Sequence, residues 1–201
     1  MSARHQRQRG YTAVELMMAI GIFGIGVSGI IAMQKVTAVS NMHAKNLGIA
    51  TQIAQSWLDM LATDAVTWNH PSASSSVPDV DQTAWLKLVK ANANTANDWV
   101  LPKYNSTLRF GPAFDALGNP IDRENVGTNV AFCSHLRLSW LYAPTASGNG
   151  LIRAEVRVFW QRDGKGFTQD MCTDSQVATV GAAPQTFHFV QKITAIRENT
   201  L

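Results

Sequence analysis

The reactive side chains of this 201-residue sequence are few and scattered. The five histidines, at positions 5, 43, 70, 135 and 188, show no zinc-ligand spacing. The only two cysteines are Cys133 and Cys172. Cys133 and His135 share one face of an expected strand, which suits a core or surface position better than a nucleophile–base pair. No Gly-x-Ser-x-Gly, P-loop or dinucleotide fingerprint is present. Asp115, Asp122 and Glu124 gather near the turn Gly118-Asn119-Pro120 without EF-hand spacing. One carboxylate is out of place: Glu15 sits at the edge of the uncharged run Leu16–Met33, whose only polar residue is Ser28.

That run defines the first element. As a helix it rises roughly 27 Å, close to the ~30 Å of a bilayer's hydrocarbon core. The residues before it are basic, with Arg4, Arg7 and Arg9, and end in Gly10. Arginines ahead of the run and none just after it predict the leader inside and the body outside. The run is longer than the apolar part of a secretory signal, and the candidate cut lies before it, at Gly10. A carboxylate inside a span costs about 2.5–3.5 kcal/mol centrally and less near an end, so Glu15 either has a partner or is solvated among headgroups. A cut after Gly10 would give Tyr11 a free α-amine, positive at neutral pH. Glu15 lies at i+4 from it, on the same helix face.

Composition narrows the class. Hydrophobic residues make up 46% and charged residues 15%, which excludes a disordered chain, and 14 Gly with 7 Pro exclude a collagen-like one. The formal charge of +3 comes from the leader: three of the 17 Lys and Arg lie there, leaving 14 against 14 Asp and Glu. The body is therefore neutral, its basic residues are dispersed, and nucleic acid is not an expected partner.

The residues Arg9-Gly10-Tyr11-Thr12-Ala13-Val14-Glu15-Leu16 resemble the class III signal of type IV prepilins. That signal is a basic leader ending in Gly, then an aromatic, then Thr, with Glu as the fifth mature residue. Here Tyr11 replaces the usual Phe, and Ala13-Val14 replace bulkier aliphatics. The resemblance implies cleavage between Gly10 and Tyr11 by a prepilin peptidase, N-methylation of Tyr11, and an assembly role for Glu15. Two further tracts, Gly26–Gln34 and Arg153–Trp160, resemble the stem and penultimate strand of PilV-type minor pilins. The implied fold is α+β and type IV pilin-like: a long N-terminal helix packed on an antiparallel sheet. The implied function is that of a minor type IV pilin in assembly initiation or the tip complex, structural and without catalysis. Its expected partners are major and minor pilins, the prepilin peptidase, the inner membrane before assembly, and a tip adhesin. The expected location is the inner membrane, single-pass with a periplasmic head, and then the pilus. No cofactor is expected. In some pilin-like heads carboxylates near such a turn bind calcium, but an ordinary polar turn is the favoured reading of Asp115–Pro120. The rivals are a pseudopilin of type II secretion and, in another class, a signal-anchored periplasmic enzyme.

Four segments are expected: a leader over 1–10, a membrane or filament-core half-helix over 11–33, an amphipathic half over 34–62, and a globular head over 63–201. The amphipathic stripe is Val36, Val39, Met42, Leu47, Ala50, Ile53, Trp57, Leu58 and Leu61. The whole helix, Thr12–Ala62, would measure roughly 75 Å. Gly21, Gly24, Gly26 and Gly29 weaken its apolar half by up to ~1 kcal/mol each relative to Ala. They suit either close helix packing through small residues or a segment that melts in a filament. Thr63–Gln82, with two prolines and a serine run, reads as a loop. A short helix follows at Thr83–Ala93, with Trp85, Leu86 and Val89 on one side, broken at Asn92–Asp98.

Strands are expected at Val130–Tyr142, Leu151–Gln161 and Thr186–Arg197, with a pleat irregularity in the last and turn-rich residues at Ala143–Gly150 and Asp163-Gly164. In the second, Ile152, Ala154, Val156, Val158 and Trp160 form one face, and Arg153, Glu155 and Arg157 the other. Consecutive hairpins argue an antiparallel sheet. An even pair of cysteines in an exported head suggests a Cys133–Cys172 disulfide, with two buried thiols as the alternative. Closing a loop of about 40 residues would stabilise the head by roughly 4 kcal/mol.

Overall fold

The computed structural model describes residues 10–68, 80–91, 99–122, 129–145, 149–162, 172–173 and 177–198. The expected leader residues 1–9, the prolines and serines of 69–79, the break at 92–98, Glu124 and the Asp163-Gly164 turn lie outside them. The chain divides into two units, Met1–Ala44 and Lys45–Leu201.

Helix α1 runs Ala13–Asp64. Thr12 starts it: its Oγ1 accepts the Glu15 backbone N–H at 3.3 Å, and its carbonyl accepts the Leu16 N–H at 3.2 Å. That is an N-cap in geometry and residue type. Over Leu16–Met33, in the first unit, the helix is apolar on all sides and, apart from the half-buried Val27, exposed. In the second, Ala50, Ile53, Ala54, Trp57 and Leu61 are buried, at i, i+3, i+4, i+7 and i+11. The expected stripe is thus engaged only from Ala50; Val36, Val39, Met42 and Leu47 are exposed. Helical structure also continues past Ala62, through Asp64 and a 3-10 turn at Ala65–Thr67.

Asp64 explains how the following segment is fixed. Its carboxylate accepts the backbone N–H groups of Ala84, Trp85 and Leu86 at 2.6, 2.8 and 3.0 Å. A carboxylate taking three main-chain donors satisfies groups that would be costly to leave unpaired. The expected helix over Thr83–Ala93 shortens to α2, Leu88–Ala91, preceded by turns. Trp85, Leu86 and Val89 are buried as expected. Trp57, Trp85 and Phe110 meet edge-to-face.

Among the described residues the sheet has five antiparallel strands: β1 Ala113–Phe114, β2 Pro120–Ile121, β3 Phe132–Tyr142, β4 Leu151–Gln161 and β5 Phe187–Arg197. A short helix α3, Val177–Ala182, precedes β5. The strand order is β2-β1-β3-β4-β5. One sheet face, with Leu136, Leu138, Ile152, Val156 and Val158, joins Ile53, Trp57 and Leu61 in the main core. The β1–β2 turn is Asp115–Asn119, where Gly118 takes a φ of 85°, accessible to glycine.

One strand expectation is corrected. The β4–β5 register is continuous from Leu151↔Arg197 to Gln161↔Phe187, so β5 has no pleat irregularity; the shift lies in β3, between Trp140 and Tyr142. Phe187, Phe189 and Ile193 share one face, and Gln191 between them donates its amide to Glu155 Oε2 at 2.9 Å. The second face of β4 is not a solvated one. Glu155 and Arg157 are buried, and only Arg153 is exposed.

Candidate functional site

The first candidate is the start of α1. Gly10, Tyr11 and Thr12 are exposed and non-helical, and nothing lies within 4 Å of where a Gly10 β-carbon would stand. An exposed, irregular peptide bond is the form a peptidase can engage. Tyr11 is 85% exposed. Glu15 follows one helical turn later, exposed and beside the Thr12 cap. The sequence Thr12-x-x-Glu15 is also a capping-box pattern, a signal the sequence analysis did not use.

From Ala13 onward the helix is, by length and composition, long and apolar enough to cross a membrane. Leu16, Ile20, Ile22, Phe23, Ile25, Ile30 and Ile31 are all more than half exposed. In water such a surface has no stable reason to exist; in lipid it needs none. The one hydroxyl of the run, Ser28, donates to the Ile25 carbonyl at 2.8 Å, so no side-chain donor is left for lipid. Beta-carbons at Gly21, Gly24, Gly26 and Gly29 would meet nothing within 4 Å. Their smallness has no steric use among the described residues of this chain.

The second candidate is the polar cluster on the far face of the sheet, which the sequence analysis missed. His135 on β3 is fully buried, and its Nδ1 accepts from Arg157 Nε at 3.1 Å and Nη2 at 2.8 Å. Burial, helped by the Arg157 charge, pushes its pKa down to about 3. Arg157 is in turn lowered to about 10 by burial and by the Arg137 charge. The guanidinium groups of Arg137 and Arg157 lie 4.8 and 4.5 Å from the Trp99 ring centre, cation–π contacts with one ring. Glu155 pairs with Arg137 and with Arg153 Nε at 2.8 Å. His135 therefore has no acidic or nucleophilic neighbour among these groups, and its neutral ring serves as an acceptor.

Cys133 and Cys172 form a disulfide with Cα atoms 5.7 Å apart, linking β3 to the segment before α3. It sits in a second apolar cluster with Ala113, Val130, Phe159, Val180 and Phe187. Cys133 is thereby removed as a nucleophile for His135. The Asp115 carboxylate is occupied by its own turn, accepting Leu117 N, Asn119 N and Asn119 Nδ2 at 2.8, 2.8 and 2.9 Å. Slight burial raises its pKa, but these bonds outweigh that and hold it below the ordinary value. Among the described residues no three His, Cys, Asp or Glu side chains converge on a metal position.

No protein-family model, curated protein or solved structure matches the chain. What the sites can do must come from their own chemistry. The N-terminal segment offers an accessible Gly10–Tyr11 bond followed by a membrane-length helix. The far face of the sheet offers a buried polar network in which His135 Nε2 has no hydrogen-bond partner among the described residues.

Proposed function

We propose that this chain is a minor type IV pilin, a structural subunit that acts in assembly initiation or in the tip complex. One observation carries the reading: the accessible, non-helical Gly10–Tyr11 bond stands directly before a capped, membrane-length helix that bears Glu15. A peptidase acting there leaves a Tyr11 amine one turn from the Glu15 carboxylate, within one chain or between neighbours. The span holds the subunit in the inner membrane with its head outside. The exposed glycine-bearing helix then packs against other pilin stems, where the lack of β-carbons permits close approach. The disulfide suits an oxidising compartment. In this reading the chain itself catalyses nothing.

Mass spectrometry of the mature N-terminus tests the proposal. Loss of residues 1–10 and a methylated Tyr11 are expected. An intact leader in a cell that assembles pili would overturn it. Identification of the proteins that co-purify from membranes separates a pilus from a type II secretion apparatus.

A further inference from the structure

The sheet ends in an exposed edge. Strand β5 pairs with β4 along its whole length, and among the described residues no strand pairs with its other side. Its eleven residues contain no proline and span about 36 Å. A long edge without breaks is a template for another strand, and proteins normally blunt one. Its outer face carries Phe189 and Ile193, 36% and 53% exposed.

Behind this edge runs a groove of about 300 Å³. One wall is Thr194–Arg197 and the other is the flank of α1 with Ala65 just after it: Leu58, Ala62 and Ala65 are the apolar lining there, and Gln55 and Asp59 the polar. A groove between an edge strand and a helix is the geometry in which extended peptides add to a sheet, with main-chain bonds for affinity and alternate side chains for specificity.

Two arguments fix the occupant. The strand's charged residues are Lys192 and Arg197, with no acid. Lys192 Nζ already donates to Gln55 on α1, at 2.9 Å, whereas Arg197 is exposed and has no ion-pair partner among the described residues. The edge therefore favours an acidic strand. A second copy of this chain is disfavoured by symmetry. Antiparallel pairing of two β5 edges has its twofold axis normal to the sheet. It would run the two copies of Lys45–Asp64 in opposite directions, so that two membrane-anchored chains would leave the pair at opposite ends.

We propose that the β5 edge and its groove receive an extended acidic segment of another exported protein as a sixth, antiparallel strand. In that register a carboxylate of the segment faces Arg197, apolar side chains cover Ile193 and Phe189, and small side chains on the other face enter the groove. The inference uses only the membrane span of α1, and it stands apart from leader cleavage and filament assembly.

The test uses the full chain in detergent micelles, isotopically labelled for NMR. The probe is a synthetic peptide, Glu-Thr-Thr-Ala-Val-Thr-Gln-Thr-Phe. It is expected to shift β5 amide signals and to slow exchange at alternate residues of Phe187–Arg197. A peptide with proline at positions that must donate to β5 should bind at least about tenfold more weakly. Arg197→Glu should reverse the preference, so that the peptide beginning with Lys binds better than the one beginning with Glu. Ile193→Lys, an exposed substitution, should weaken binding while leaving the amide spectrum of the rest of the head in place. Equal binding of the proline peptide, no β5 response at millimolar peptide, an unaltered preference in Arg197→Glu, or self-association of the chain through β5 would each overturn the inference.

Discussion

His135 and Glu15 are ionisable residues whose surroundings assign them different work. His135 is buried and neutral, with a pKa pushed down to about 3 by burial and by Arg157. An unfolded chain protonates this side chain near 6.5. Below that pH the unfolded state binds the proton and the folded state does not, so stability present above about 6.5 is lost as pH falls towards 3. The slope from this group is about 1.4 kcal/mol per pH unit. His135→Gln keeps an acceptor for Arg157 and removes the titration. Its melting temperature should therefore fall less steeply than the wild type's between pH 6 and 4, as read by thermal denaturation in detergent; parallel profiles would refute the assignment. Glu15 was legible from sequence as a misplaced carboxylate, but its neighbour's cap was not used. The bond to Thr12 is made by the Glu15 backbone N–H. Glu15→Val thus leaves the cap in place and removes only the carboxylate. It should insert into membranes as well as the wild type or better, yet enter assemblies poorly. Wild-type incorporation would remove the proposed pairing with the Tyr11 amine.

Among the elements, α1 and β4 were the most legible, because each repeats one period for long enough to outweigh local exceptions. Strand β4 has the bounds expected for it. Strands β1 and β2 were missed, since two residues carry no period. The burial of the charged face of β4 was not legible, because alternation places residues on a face without showing what covers it. Here Trp99 stacks on Arg157 of this face and on Arg137 of the neighbouring β3, and the Val177 carbonyl at the start of α3 accepts from Arg157 at 3.2 Å. Gln191 produced the expected irregularity in β5: a polar residue in an apolar row looked like a break, but it is the hydrogen-bond partner of a buried Glu155. The disulfide belongs with these coverings. It ties β3 to the segment that leads into α3, 39 residues away. Its reduction should cost about 2–5 kcal/mol and lower the melting temperature, while the far-UV spectrum at low temperature stays the same. Two titratable thiols in protein isolated from an oxidising compartment would contradict the bond.

For the molecule as a whole, the boundary between units falls within one helix, between Ala44 and Lys45. The amphipathic half of α1 continues the helix in sequence, and from Lys45 it belongs to the second unit. Ile53, Trp57 and Leu61 are core residues that share one buried cluster with Leu136, Ala154 and Val156 of the sheet. Each large apolar side chain so buried contributes about 1.5–3 kcal/mol. Three of them approach the whole net stability of an ordinary domain, about 5–15 kcal/mol. Residues before Ala44 add nothing comparable: none of the apolar side chains from Tyr11 to Met42 is buried, and all but the half-buried Val27 are exposed. A chain beginning at Lys45 should therefore be soluble without detergent and keep near-UV aromatic signals from Trp57, Trp85 and Phe110. A chain beginning after Leu61 should lose those signals and bind hydrophobic dyes, because the sheet's inner face would be bare. Circular dichroism of the two truncations decides the matter. Equal folding of both would show that the end of α1 is dispensable to the head, and failure of the longer one would place the fold's dependence in the membrane half.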